Sequence, residues 1–309
     1  MGSVGRQPEV ITFDYQFAPN AQKARNLLNV MKIPYTCCEQ PFVLPRPSLT
    51  DIGVTYRRIP VNAIGKDLYC DNRPFLETVQ KIWKDKAIPT SPADHAFESF
   101  GYRTFWTCLQ LVPAGLISKE MAKDRSSLFS IFTRDDYGEI RQSALGELKQ
   151  WLDIVEHDFL SHGKQWIAGD KCGAADIHAG WMLKWALQTL EIEKEAGFGE
   201  NDFPRVHKWI NGLPRHIPEN DAPKIEAKAA HEKVLSADYA VDSIGVAAND
   251  PTGLKQDQPV VVETNDDARP SDHPQAGKLN GLSNREIVVQ LDNGLRLHFP
   301  RIGYRVRAA

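Results

Sequence analysis

The sequence predicts an α/β N-terminal domain over residues 1–88, an all-helical domain over 93–222, and a helix, linker and small β-rich appendage over 223–309. Three observations carry this division. The first part alternates β-rich runs with an amphipathic helix. The middle part places its aromatic and aliphatic residues at helical spacings. The last part turns to Gly, Asp and Pro and ends on strand-like runs around Asn293-Gly294.

Val10 to Tyr15 is apolar, β-branched and aromatic, as a short buried strand is. A turn at Phe17-Ala18-Pro19-Asn20 leads to a helix over Ala21 to Met31, with Ala24, Leu27, Leu28 and Met31 on one face. Pro34 ends it, and Tyr35 to Cys38 reads as a second strand. After Ile59-Pro60 comes a short apolar strand, a turn at Gly65-Lys66-Asp67, and a strand over Leu68 to Cys70. Asp71-Asn72 then open a helix, which puts polar side chains beside the free amide hydrogens of its first turn. Ile88-Pro-Thr-Ser-Pro92 is the expected linker.

The helical part contains Phe97, Phe100, Phe105, Trp106, Leu109 and Val112 at helical spacings, closed by Pro113. Ile140 to Phe159 is a long amphipathic helix. Gly173 to His178 open another, and Asp176 there reads as a cap rather than a catalytic group. In the last part a polar helix is expected over Lys224 to Asp238, a strand at Val260-Val-Val-Glu263, and a polar loop over Asn265 to Ala276. The Ile287 to Phe299 stretch reads as a hairpin turning at Asn293-Gly294, within a sheet of about three to five strands.

The 309 residues are 42% hydrophobic and 25% charged, as in ordinary globular proteins. A net charge of −3 gives no electrostatic reason to expect nucleic acid or membrane partners. No apolar run approaches the roughly 20 residues of a membrane span, and the N-terminus has no apolar signal core. The five cysteines follow no Cys-x-x-Cys spacing, which favours a reducing, cytoplasmic setting. The nine histidines form no i, i+4 pair, so no metal site is expected. The sequence contains no Gly-x-Ser-x-Gly elbow, and Gly197-Phe-Gly199 lacks the rest of a dinucleotide loop. The basic residues from 276 on read as solvated surface.

Taken together, Tyr56-Arg-Arg-Ile-Pro60, the Asp71-Asn72 helix start, Pro19-Asn-Ala-Gln22 and Gly169-Asp-Lys-Cys-Gly-Ala-Ala-Asp-Ile-His178 resemble the glutathione transferase family over roughly Val10 to Leu213. The pairing of Leu44-Pro-Arg-Pro-Ser-Leu49 with Tyr56 to Pro60, and the ending His298-Phe-Pro-Arg301, is most similar to a fungal branch with a C-terminal β extension. The resemblance implies a thioredoxin-like N-terminal domain, the all-α C-terminal domain of glutathione transferases, a cis Ile59-Pro60 bond, and a homodimer.

It also implies roles. Glutathione is the expected cofactor, its γ-glutamyl group meeting Asp71 and Asn72 and its cysteinyl backbone pairing with Ile59 before Pro60. Phe17, Arg46 and Arg58 complete the expected binding set, the arginines as partners for the glycine carboxylate. An electrophilic small molecule is expected against Phe17, Tyr102, Phe105 and Trp106. Ala18 departs from the family, because it stands where a Ser or Cys donates to the glutathione thiolate. Asn20 and Tyr15 are the replacement donors, and Tyr15 reads equally as a packed strand residue. The resemblance implies conjugation or glutathione-dependent cis–trans isomerisation, with a secondary metabolite as the expected substrate. Ala18 keeps open a non-catalytic binding protein of the same fold.

Overall fold

The structure, a computed structural model, describes residues 7–214, 222–265 and 273–309. In chain order its elements are β1 (Val10–Asp14), α1 (Pro19–Val30), β2 (Thr36–Glu39), α2 (Pro47–Thr50), β3 (Val61–Ile64), β4 (Asp67–Tyr69) and α3 (Asn72–Ile82). Helices α4 (Asp94–Leu109), α5 (Lys119–Arg125), α6 (Arg141–Ile154), α7 (Ala174–Lys184) and α8 (Pro204–Gly212) follow. The chain closes with α9 (Ala227–Ser236), β5 (Gly245–Val246), β6 (Pro259–Thr264), β7 (Gln275–Leu282), β8 (Glu286–Gln290), β9 (Arg296–Pro300) and β10 (Tyr304–Ala308).

The described residues divide into two compact units, not three successive parts. One lies within Met1–Ala24, Pro34–Ile82 and Ile217–Ala309, the other within Arg25–Ile33 and Trp83–His216. The C-terminal residues, expected as an appendage, share the first unit because their strands continue its sheet. The strand order is β10-β6-β7-β8-β9-β4-β3-β1-β2, with β5 beside β7. Among the described residues the tail therefore holds six strands rather than three to five.

The β2-β1-β3-β4 part follows from the sequence. Strand β1 is buried along its whole length and lies between β2, parallel, and β3, antiparallel. Gly65 makes the β3–β4 turn at φ +59, a conformation glycine adopts without a Cβ clash. The edge of β4 is where the tail joins. Leu68 pairs with Leu297 in a parallel ladder, and Cys70 N donates to His298 O at 3.0 Å. At the other edge, Cys37 N donates to Pro223 O and Ile225 N to Cys37 O, each at 3.0 Å. One C-terminal chain thus covers both edges of the four-stranded sheet and satisfies groups that an open edge would leave unpaired.

Alternation along β9 explains how the joint is filled. Leu297 and Phe299 enter the hydrophobic core with Ile11, Val61, Leu68 and Val289. A fully buried leucine such as Leu297 contributes about 1.5–3 kcal/mol relative to exposure. Helix α9 adds Ala230 and Val234 to this core, which is why a helix of polar composition forms there. The β8–β9 connection differs from the expected two-residue turn. It is a three-residue loop, closed by Leu291 N donating to Leu295 O at 2.8 Å, and of Asn293 and Gly294 only Gly294 has positive φ, +86. Asn293 is held by donating its side-chain amide to Ile52 O at 2.9 Å, a contact sequence-local reasoning does not see. The polar loop expected over Asn265 to Ala276 falls, at 266–272, outside the described residues.

The helical unit has its own core, with Leu148, Leu152, Trp181, Met182, Trp209 and Ile210 among its buried members. The amphipathic helix expected over Ile140 to Phe159 is α6 followed by one wide turn over Val155–Phe159. Asp176 is a cap, as its position implies. It accepts from Gly173 N at 2.8 Å, Ile167 N at 2.7 Å and Trp209 Nε1 at 2.8 Å. Gly173, at the N-cap position, has no side chain to complete the reciprocal half. Among the described residues, no helix is long and apolar enough to cross a membrane.

Candidate functional site

The residues expected to bind glutathione all lie in the first unit. Phe13 pairs with Val61, so the chain leaving β1 at Tyr15 and the chain entering β3 at Pro60 lie at the same end of the sheet. The Ile59-Pro60 peptide bond is cis. Leu44-Pro45 is also cis, which the sequence reading did not anticipate. Neither the amide nor the carbonyl of Ile59 makes a hydrogen bond among the described residues, so both main-chain groups can pair with an extended ligand.

Helix α3 supplies the second half. Asp71 is its N-cap, accepting from Arg73 N at 3.0 Å through Oδ1. Asn72 is 5% exposed and donates through Nδ2 to Asn20 O at 2.8 Å. That bond ties the first turn of α1 to the first turn of α3. It leaves Asn72 Oδ1 buried without a partner, and a buried acceptor of this kind costs about 1–3 kcal/mol unless a donor reaches it.

Ala18 is the N-cap of α1. It is 2% exposed, and its carbonyl accepts from Ala21 N at 3.1 Å and Gln22 N at 3.2 Å. Pro19 at the next position has no amide hydrogen, so Asn20 N is the first free donor of this helix among the described residues. The side-chain amide of Asn20 makes no hydrogen bond among the described residues. Tyr15 is half-buried with its ring edge-on to Phe42 at 5.1 Å, as a packed strand-end residue. Phe17 is 64% exposed.

The two arginines differ. Arg46 is 3% exposed and donates to three main-chain carbonyls, Pro41 O at 3.2 Å, Phe42 O at 3.5 Å, and Arg57 O. Its guanidinium is engaged in holding the loop between β2 and β3, which argues against the carboxylate-binding task expected of it. Arg58 is half-buried and close enough to Tyr56 and Tyr304 for its charge to favour their ionised forms. It remains the better match for a ligand carboxylate.

Sequence reasoning missed two members of this cluster. Tyr304, on β10, donates to Asp71 Oδ2 at 3.1 Å, and its hydroxyl lies 2.8 Å from that of Tyr56. Tyr56 stood inside a recognised motif, but nothing local in the sequence connects Tyr304 to a residue 233 positions earlier.

Tyr102, Phe105 and Trp106 belong to the helical unit. Phe105 is 6% exposed, stacks on Trp181 at 5.8 Å, and meets Phe129 edge-on at 5.5 Å. It is a core residue, and the substrate contact expected of it is corrected on that ground. Tyr102 is half-buried and Trp106 is 37% exposed, so these two retain surface.

A four-stranded α/β sheet with a cis X-Pro bond entering β3 and an acid-capped α3, followed by an all-helical unit, defines a glutathione transferase-like fold with added C-terminal strands. A GST-like protein from Pseudomonas syringae has this fold, with a TM-score of 0.73 at 20% identity, covering 98% of this chain and 100% of that one. In sequence the chain is similar to glutathione S-transferase U4 of Arabidopsis thaliana, 23% identical over 234 residues, covering 74% of this chain and 95% of that protein. It is also similar to glutathione transferase GST 23 of Zea mays, 24% identical over 189 residues, covering 59% of this chain and 77% of that protein. A family profile described as Domain of unknown function (DUF7962) matches residues 107–221. These relatives are from plants and a bacterium, and none of them supports the fungal affinity read from the sequence.

Proposed function

We propose that the chain binds glutathione and adds its sulfur to an electrophilic, conjugated small molecule. One observation carries the reading: Ile59 offers both main-chain groups beside its cis proline, while α3 begins with the Asp71 carboxylate and an unpartnered, buried Asn72 Oδ1. Those groups match a peptide with a free α-amino acid head. Ile59 pairs with the cysteinyl main chain, Asp71 and Asn72 receive the γ-glutamyl ammonium group, and Arg58 receives the glycine carboxylate. The similarity to curated glutathione transferases supports this choice of ligand.

Glutathione supplies a thiol, which is reactive as the thiolate. The chain's part is to favour that charge. Asn20 N and Nδ2, at the positive end of α1, and Tyr15 Oη are the donors proposed for the sulfur. The electrophile is the second reactant. Addition alone yields a conjugate. Addition, rotation about the new single bond and elimination yield a cis–trans isomer with glutathione returned. A secondary metabolite is the proposed substrate class, the cytoplasm the proposed compartment, and a homodimer the proposed assembly.

The test is calorimetric titration with glutathione, followed by turnover of an aryl halide and of an enal. Binding with turnover supports the transferase. Binding without turnover supports the second reading, a glutathione-binding protein without catalysis, which the buried methyl of Ala18 favours. Absence of binding overturns both.

A further inference from the structure

Tyr304 stands at the start of the last strand, yet its hydroxyl reaches the cap of α3. It donates to Asp71 Oδ2 at 3.1 Å, lies 2.8 Å from Tyr56 Oη, and lies 3.4 Å from Cys70 O. Tyr304 and Tyr56 are 8% and 7% exposed. The direction of this chain is fixed by chemistry. An ionised carboxylate only accepts, so Tyr304 gives its single proton to Asp71, and Tyr56 must then donate to Tyr304. Each bond polarises the next. Burial pushes both phenols well above their ordinary range, so both remain protonated donors at neutral pH.

The geometry restrains Asp71 from two sides. Oδ1 accepts from Arg73 N at 3.0 Å, and Oδ2 accepts from Tyr304. The Tyr304 ring is itself held, 5.5 Å from Phe299 and 6.2 Å from Tyr56, and its main chain is paired with Thr264 of β6.

We propose that Tyr304 is a positioning residue for the ligand site: it fixes the Asp71 carboxylate in the orientation that receives the ammonium group of a γ-glutamyl ligand, so that the C-terminal strand completes a site otherwise built from the N-terminal residues. The proposal rests on the glutathione reading above and goes beyond it, since it makes the C-terminal sheet a functional part of ligand recognition.

The test compares wild type with Tyr304→Phe, which removes one oxygen and keeps the ring. Two ligands are titrated calorimetrically: glutathione, and glutaryl-cysteinyl-glycine, which lacks only the ammonium group. Tyr304→Phe is expected to weaken glutathione by about three- to tenfold, a fraction of what a charge-assisted hydrogen bond can supply. The analogue should change by less than about twofold, because its binding does not use Asp71 as an ion pair. Tyr56→Phe, which removes only the upstream donor, should shift the same ratio in the same direction by a smaller factor, and it serves if Tyr304→Phe does not fold. Asp71→Asn should erase the effect of Tyr304→Phe. Equal loss for both ligands overturns the proposal, as does unchanged or tighter glutathione binding by folded Tyr304→Phe and Tyr56→Phe. In those cases glutathione binding by the wild type leaves the glutathione reading standing, whereas no binding by the wild type overturns both.

Discussion

Arg296 and Asp67 form a buried two-point ion pair across the β4–β9 joint, Nε to Oδ1 at 2.6 Å and Nη2 to Oδ2 at 3.0 Å. Asp67 also accepts from His298 Nε2 at 2.9 Å and from Ala240 N at 2.7 Å, and the Tyr239 ring lies 3.9 Å from the guanidinium. Removing one partner of such a pair strands a buried charge, at a cost of about 3–5 kcal/mol. Arg296→Ala is therefore expected to lower the urea midpoint sharply. Arg296→Met, which fills the volume but leaves Asp67 without its guanidinium partner, should recover only part of it. A midpoint within error of wild type for both variants would show that the pair does not hold the C-terminal strands to β4.

The same cluster gives stability a pH dependence with two limbs. Burial pushes His298 down, but hydrogen bonds to Asp67 and Glu286 outweigh it and hold the imidazole above its ordinary value of 6.5. Burial pushes Asp67 up, but His298 and Arg296 outweigh it and hold the carboxyl below its ordinary 3.8. The His298 contribution is thus full below the unfolded value and fades as pH rises through the folded one. The Asp67 contribution is full above 3.8 and fades as pH falls through its folded value. Tyr69, stacked on the imidazole at 4.7 Å, stays neutral over this range. Urea midpoints from about pH 4 to about pH 9 should decline on the alkaline side, and His298→Gln should flatten that decline. An unchanged alkaline limb in the variant would refute the assignment.

How far the sequence carried this far depends on range. The β1-α1-β2 order, the β3–β4 hairpin and the α3 cap were legible because each is set by local rules: apolar runs, a glycine turn, an acid before a helix. The affiliation of the tail was not legible. Leu297 reads as an ordinary strand residue, and nothing near it says that its partner is Leu68. Arg46 was misassigned for a related reason. An arginine between two prolines looks available, and only the folded loop shows its carbonyl partners. Phe105 and Trp106 are neighbours on one helix, and the step of about 100° between adjacent residues is enough to put one in the core and the other at the surface.

Asp71 separates charge from capping. Asp71→Asn keeps an oxygen for Arg73 N and is a good N-cap, so the melting temperature should stay close to wild type. Glutathione affinity should fall at least about tenfold, because the charge that meets the ammonium group is gone. Asp71→Ala should lose the affinity and also about 0.5–2 kcal/mol of stability. Calorimetry showing wild-type affinity in Asp71→Asn would remove Asp71 from the ligand site.

Assembly is constrained by the sheet. The β4 edge is taken by β9, and Cys37 of β2 already bridges residues 223–225, so a dimer of this chain cannot form by extending the sheet at either place. A two-fold dimer must instead bury side-chain surface. Light scattering at micromolar concentration is expected to give twice the monomer mass, insensitive to reductant because the cysteines are unpaired. A monomer mass would refute the dimer.

Ala18→Ser tests how the thiolate is favoured. The Ala18 carbonyl already begins α1, and its buried methyl sits where a hydroxyl can act in two ways at once. The oxygen can accept from a first-turn amide such as Asn20 N, which should raise stability by about 0.5–2 kcal/mol. The hydroxyl proton remains available to donate to the sulfur of bound glutathione, an interaction of about 1.5–3 kcal/mol where geometry permits. Both effects together predict a higher melting temperature, a lower thiol pKa by ultraviolet titration of the complex, and faster conjugation. Higher stability with an unchanged thiol pKa would mean that the hydroxyl only caps the helix. Asn20→Ala or Tyr15→Phe should then raise the thiol pKa, since one of them supplies the donor already. If none of the three substitutions moves the pKa or the turnover, side-chain hydrogen bonding does not activate the sulfur, and the non-catalytic reading takes its place.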